Sequence, residues 1–196
     1  MEILINILDY IKTNIDNNYT LTLIFFFIFL ILFNSFSIPG NLIFISSTGY
    51  FFGIYIGFFI SITSIVLGSF IFFLFANLYT KKLIPKKIYK YSINLKNHIK
   101  DSSLEYLIIF RMIPGTPLFL QNILLSFLNI SKIKFILSSF LGFTPLVFVV
   151  VFVGNQFKDL NKFKNLSFID FFSFNFLIFI VLIIIFLLIR IFYKNK

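Results

Sequence analysis

The 196-residue chain is 59% hydrophobic and contains 33 Phe, while charged residues make up only 12%, about half the share of a soluble domain; an ordinary water-soluble domain is excluded. With no Cys, one His (His98) and seven acidic residues, it has little material for thiolate chemistry, a metal centre or an acid/base pair. No enzyme activity and no cofactor are expected. The net charge of +10 lies along the flanks of apolar segments, a distribution that argues against nucleic acid as a partner.

Residues 1–19 read as an N-terminal amphipathic segment, with Ile3, Ile7, Ile11 and Ile15 at four-residue steps. Glu2, Asp9 and Asp16 against one Lys do not make a signal peptide. The next 64 residues, 17 to 80, carry no charge. As one helix they would extend about 96 Å, and a bilayer core is about 30 Å thick. The stretch must cross more than once or fold back. It divides at Asn34-Ser35-Phe36-Ser37-Ile38-Pro39-Gly40, because Pro removes a backbone donor and Gly loosens the helix. The expected elements are a first span at about 20–35, a re-entrant segment at about 37–52 broken by Pro39 and Gly40, and a second span at about 54–79. Gly49, Gly53 and Gly57 recur every four residues and predict a small-residue face for helix packing.

The loop 80–103 holds seven of the 17 basic residues, which assigns it to the cytoplasm. Ile84, Ile88, Tyr91, Leu95 and Ile99 fall on one face of a helix that would lie in the headgroup plane. A topology anchor and recognition of anionic lipid explain its lysines equally well.

A second broken segment is expected at about 104–130. Ser102 and Glu105 form a capping-box pattern, and the chain is then interrupted at Arg111-Met112-Ile113-Pro114-Gly115-Thr116-Pro117, with Gln121 and Asn122 on the return limb. Arg111 is the outstanding site candidate, because an ionisable group at membrane depth is costly. Two readings of it stay open. Its guanidinium suits a phosphate, which it can grip through a planar fork of donors; alternatively it satisfies the last carbonyls of its helix or reaches the interface. Gln121 and Asn122, with Asn41 in the first segment, are the polar groups that would join it at a substrate. Non-helical backbone at such depth needs protein or a wet cavity around it, so Pro114, Gly115 and Pro117 mark a re-entrant turn, as Pro39 and Gly40 do.

The tripeptide Ile-Pro-Gly occurs at 38–40 and again at 113–115, 75 residues on, each time ahead of a long apolar run. Gly/Pro-interrupted segments at corresponding places in two halves point to an inverted repeat with the site between them. Further spans are expected at about 133–155 and 173–192, the second within a C-terminal part, 156–196, that ends in a basic tail. With four spans, both termini fall in the cytoplasm with 13 basic residues, against three outside. The fold class is all-α: a polytopic membrane protein with about four spanning helices and two re-entrant hairpins, its membrane domain at 20–155.

Two blocks give this pattern a family resemblance. Gly49-x-x-Phe52-Gly53-x-x-x-Gly57 is followed by Gly68 and Ala76, and Phe110-Arg111-x-x-Pro114-x-x-Pro117 by Asn122, Gly142 and Gly154. In this order the blocks resemble the DedA superfamily, also called the VTT or SNARE-associated Golgi protein family. Asn41 and Pro117 stand where proton-coupled members carry an acid and a second Arg, so the chain is closest to the Tvp-like branch. The resemblance implies two re-entrant hairpins meeting at mid-membrane, Gly68 and Gly142 as further packing glycines, and movement of lipid between leaflets. Membrane lipids, anionic or phosphate-bearing, are the expected partners, and the location expected is the cell membrane. A coupled transporter of small solutes and a non-transporting adaptor are the competing readings. The glycine face permits a homo-oligomer and equally permits packing within one chain.

Overall fold

The computed structural model describes residues 13, 15, 17–83, 104–113, 116–128 and 130–157. Among these residues the fold is wholly helical. The first helix, α1 (Tyr19–Ser35), is almost entirely apolar. It stops because Ser37 adopts φ 51 and Gly40 φ 98, left-handed conformations that a helix cannot contain, and because Pro39 between them has no backbone donor.

The next helix, α2 (Asn41–Leu83), is broken at Gly53, where φ 83 and ψ 177 lie in a region that only Gly enters readily. Its two limbs, 41–52 and 54–83, fold back on each other. Thr48 Oγ1 lies 2.7 Å from Ser61 Oγ and 3.1 Å from the Gly57 carbonyl. Close approach depends on Gly57, since a Cβ there would stand 2.7 Å from the Thr48 carbonyl oxygen. The second half repeats the scheme with α3 (Leu104–Met112), α4 (Leu118–Ser126) and α5 (Lys132–Gln156). Pro117 is the N-cap of α4, and the Ser131 hydroxyl caps α5 by accepting from the Lys134 amide at 3.3 Å.

Ring contacts fix the directions. Tyr19 meets Phe52, Phe26 meets Phe51 and Phe33 meets Phe44, so α1 and the short limb of α2 are antiparallel. Phe58 meets Phe148 at 5.9 Å and Phe73 stacks on Phe135 at 4.2 Å, so the long limb of α2 runs antiparallel to α5. A core of Ile45, Ile62, Ile65, Val66, Phe143, Val147 and Val151 closes this interface. A second cluster, with Phe73, Leu107, Leu125 and Phe135, holds α3 and α4 against it. Each half is therefore helix, break, short helix, long helix, and the long helices point in opposite directions.

The outer surface is apolar. Leu21, Phe25, Ile28 and Leu32 on α1 and Ile133, Leu137 and Leu141 on α5 are exposed, Phe25 by 68%. Such faces suit hydrocarbon rather than water. Residues Asn41–Ala76 and Lys132–Gln156 are each long and apolar enough to cross a membrane. Beyond Gly53 the first still keeps residues 54–76, about 35 Å of helix.

Two expectations need correction. The break at Pro39 and Gly40 is not a bend within the 37–52 segment, because 41–52 is regular helix. It is the turn of a hairpin formed by α1 and that limb, and α1, at 17 residues, extends only about 26 Å. Gly53, expected in a packing face with Gly49 and Gly57, is the break between the two limbs, so the three glycines do not share one helix face. The headgroup-plane helix at 84–99, Ser102, Pro114 and Gly115, the span at 173–192 and most of the 1–19 segment lie outside the described residues.

Candidate functional site

Residues 36–40 of the first turn and Ile113, Thr116 and Pro117 of the second half line one cleft of about 900 Å³. Arg111 reaches it from the last turn of α3. Its side chain is 2% exposed, and among the described residues it is the largest of the nearly fully buried side chains. Among the described residues, no other charged side chain lines the cleft.

Amides hold the guanidinium. Arg111 Nη1 donates to Asn122 Oδ1 at 2.7 Å and to Gln121 Oε1 at 3.4 Å. Both amides come from the buried face of α4. Their NH2 groups are in use as well: Gln121 Nε2 donates to Thr116 Oγ1 at 2.5 Å and Asn122 Nδ2 to Ser37 Oγ at 3.0 Å. The Asn122 bond crosses from one half to the other. Ser37 Oγ then donates to the Asn34 carbonyl at 3.3 Å, and Asn41 Nδ2 donates to Asn34 Oδ1 at 3.3 Å. Asn34 is itself fixed by Nδ2 donating to the Leu30 carbonyl at 2.8 Å. One chain of hydrogen bonds thus runs from Arg111 through Asn122 into the first turn.

The rings of Phe135 and Phe143 each lie 4.8 Å from the guanidinium carbon, within cation–π range. Both come from α5, which approaches α3 closely at Gly142; a Cβ there would collide with the Arg111 Cβ. Two donors remain. Nε and Nη2 of Arg111 are buried and have no hydrogen-bond partner. The capping and snorkelling readings of Arg111 are both overturned: it bonds side-chain amides rather than helix carbonyls, and it does not reach the surface.

Of the residues singled out from sequence, Arg111, Gln121, Asn41, Pro39, Gly40 and Pro117 border this one cleft, and Asn122 is buried beside it, bonded to Arg111. Gly49, Gly57, Gly68 and Gly142 lie where helices approach too closely for a side chain. Gly49 abuts Val151 of α5, and Gly68 abuts Ile31 and Asn34 of α1. Sequence reasoning missed Asn34 and Ser37 as members of the network, Thr116 as the partner of Gln121, and the two phenylalanines. Asn34 alone carried a usable signal, as an amide inside the long charge-free stretch.

A family model for the VTT domain matches residues 38–156, from the first turn to the end of α5. The Transmembrane protein 41 homolog of Caenorhabditis elegans is 27% identical over 150 residues, which covers 74% of this chain and 61% of that protein. The Dictyostelium discoideum protein of the same name is 25% identical over 158 residues, covering 79% of this chain and 47% of its own length. The chain thus spans about half to three-fifths of the length of these curated relatives. No solved structure matches it. With more than half of its residues inside the match, and both turns and the polar network within that region or against it, the chain belongs to the VTT-domain family of membrane proteins, the DedA superfamily.

Proposed function

We propose that the protein is a lipid translocase of the scramblase type, in which the cleft between the two turns admits a lipid phosphate at Arg111 while the acyl chains stay in the bilayer. The observation that carries this reading is a buried guanidinium with two unpartnered donors at a cleft of about 900 Å³. An Arg buried without a carboxylate among its hydrogen-bond partners is costly, and a phosphate oxygen is the partner its planar donors match best. The apolar outer faces of α1 and α5 supply the hydrocarbon side of such a path.

In this reading the α1/α2 turn and the α3/α4 turn are the tips of two re-entrant hairpins that meet at mid-membrane. The long limb of α2 and α5 cross the bilayer as inverted equivalents and the 173–192 segment adds a further span, while α1, which ends at the mid-membrane turn, is a limb of the first hairpin. The lysine-rich 80–103 loop and the basic C-terminal tail face the cytoplasm of a cell-membrane protein. Among the described residues no carboxylate lines the cleft; exchange is downhill or coupled to another gradient.

Leaflet exchange of fluorescent phospholipids in proteoliposomes tests the proposal, with Arg111→Ala as the paired variant. Fast exchange that the variant loses is the expected result. Exchange no faster than in empty liposomes, for every lipid and with or without a gradient, sinks it and leaves a solute transporter or an adaptor.

A further inference from the structure

We infer that the Ser69 hydroxyl is a third donor to the oxyanion that Arg111 receives, so that a phosphate group binds between the long limb of α2 and the free edge of the guanidinium; this rests on the translocase reading above. Three atoms start the argument. Among the described residues, the buried side-chain polar atoms without a hydrogen-bond partner are Arg111 Nε, Arg111 Nη2 and Ser69 Oγ. Ser69 is completely buried and Arg111 nearly so.

Helix register brings the three atoms to one level. On α5, the rings of Phe135 and Phe143 both lie 4.8 Å from the guanidinium carbon. Eight residues separate them, about 12 Å of helix, so the guanidinium is level with the residues between, around Ser139. On the facing helix Phe73 stacks on Phe135 and Phe58 meets Phe148, and this antiparallel register sets Ser69 opposite residues 138–139. Ile65 and Phe73, each one turn from Ser69, belong to the clusters that contain Phe143 and Phe135. Ser69 therefore lies on the face of α2 that meets α5, at the height of the guanidinium.

The Ser69 hydroxyl also has a proton to give. A buried helical serine can donate to a carbonyl three or four residues back, as Ser64, Ser138 and Ser139 do, and Ser61 is bonded to Thr48. Ser69 makes no such bond, and it is not bonded to Arg111 either. A third body must join them. A phosphate fits better than a water, because Nε and Nη2 lie side by side and match two oxygens on one phosphorus, and a further oxygen is left for the hydroxyl. It also brings the negative charge that the amide partners of Arg111 lack. Ile65 and Phe143 line the cleft, and Ser69 stands one turn behind Ile65, so a headgroup in the cleft reaches the hydroxyl past these two side chains.

The distinguishing variant is Ser69→Ala. A hydroxyl buried without a partner adds no stability, so the ligand-free variant should unfold at the parent's thermal midpoint or above it. The detergent-solubilised protein is titrated with dihexanoyl phosphatidylglycerol and, separately, with inorganic phosphate, following that midpoint. Ser69→Ala should need about tenfold more of the lipid for the same rise, the factor that one hydrogen bond to a charged group supports. Ser138→Ala, which removes a hydroxyl already spent on its own helix, is the paired control and should keep the parent's ligand dependence. Dithionite quenching of tail-labelled phospholipid in proteoliposomes measures exchange in parallel, and Ser69→Ala should slow it. Unchanged lipid dependence in Ser69→Ala overturns the role of Ser69, and so does equal weakening in Ser138→Ala; a lowered ligand-free midpoint with unchanged dependence assigns the hydroxyl to a bridging water instead. In each of these cases the translocase reading rests on Arg111→Ala alone. No exchange by the parent, with a midpoint rise that Ser69→Ala and Arg111→Ala both weaken, overturns translocation and upholds the oxyanion site. An equal rise with inorganic phosphate that Ser69→Ala weakens upholds Ser69 and names the free ion as the source. Neither exchange nor rise overturns both.

Discussion

Replacement of Asn122 separates the structural role of the amide from the charge it leaves free. In Asn122→Ala, Arg111 Nη1 loses its 2.7 Å acceptor and keeps only the 3.4 Å contact to Gln121, while Ser37 loses the donor at 3.0 Å. A hydrogen bond to a charged group contributes about 1.5–3 kcal/mol and a neutral one about 0.5–1.5 kcal/mol. The site is fully buried, so water does not replace either bond, and a loss of about 2–4 kcal/mol is expected. Asn122→Asp keeps the shape and the acceptor facing Nη1, and the Ser37 hydroxyl can turn to donate to the new carboxylate. Its stability should lie within about 1 kcal/mol of the parent, because the charge it buries meets a partner at hydrogen-bond distance. Its exchange should nevertheless fall by about tenfold or more, since the guanidinium is now neutralised from within and an arriving phosphate meets no net charge. Denaturant titration in micelles measures the first quantity and dithionite quenching in proteoliposomes the second. Wild-type exchange in Asn122→Asp would refute the role of the uncompensated charge, and an Asn122→Ala protein as stable as the parent would refute the buried network.

Other positions test the frame around the site. Gly53→Ala should be among the most damaging single-methyl changes, at about 1–3 kcal/mol of backbone strain, because φ 83 with ψ 177 is closed to other residues; a protein with an unchanged unfolding midpoint would place the break elsewhere. Gly68→Ala puts a Cβ 2.6 Å from the Asn34 Cβ and 2.8 Å from the Ile31 carbonyl oxygen, so α1 must move away at about 1–3 kcal/mol, and exchange should fall with stability because Asn34 anchors the first turn. Phe135→Leu removes one face of the guanidinium sandwich and the 4.2 Å stack on Phe73; the expected loss is about 1–2 kcal/mol, read from the same titration, and no loss would deny the ring a part in holding Arg111. Thr48→Val leaves Ser61 without its 2.7 Å partner between the α2 limbs and should cost about 1–3 kcal/mol, whereas Thr48→Ser should restore most of it.

What was legible in the sequence follows from which physical costs are local. Arg111 stood out because a charge in an apolar run is costly wherever the chain folds, and Pro39 and Gly40 because a missing donor and a released φ act on their own backbone. Glycines at four-residue steps are ambiguous, since the same residue serves a close helix contact or a positive φ. Gly49 and Gly57 took the first use and Gly53 the second, and only the fold-back of Thr48 onto Ser61 shows which. Ser37 could not be found locally, because its partner Asn122 lies 85 residues away. Phe135 and Phe143 were hidden by number: among 33 Phe, nothing local distinguishes the two that face a guanidinium.

The two halves share a backbone plan but not a chemistry. At the repeat offset of 75 residues, the counterpart of Arg111 is Phe36, which is exposed. The first turn contributes Asn34, Ser37 and Asn41 instead, neutral groups that hold one another and, through Asn122, reach the guanidinium. A second Arg at the symmetric place would bury two like charges at one cleft, at a further desolvation cost. A carrier needs a site favourable enough to draw a headgroup out of water and weak enough to release it on the far side. On the translocase reading proposed above, one guanidinium, partly satisfied by amides and bordered by a neutral turn from the opposite half, meets both conditions.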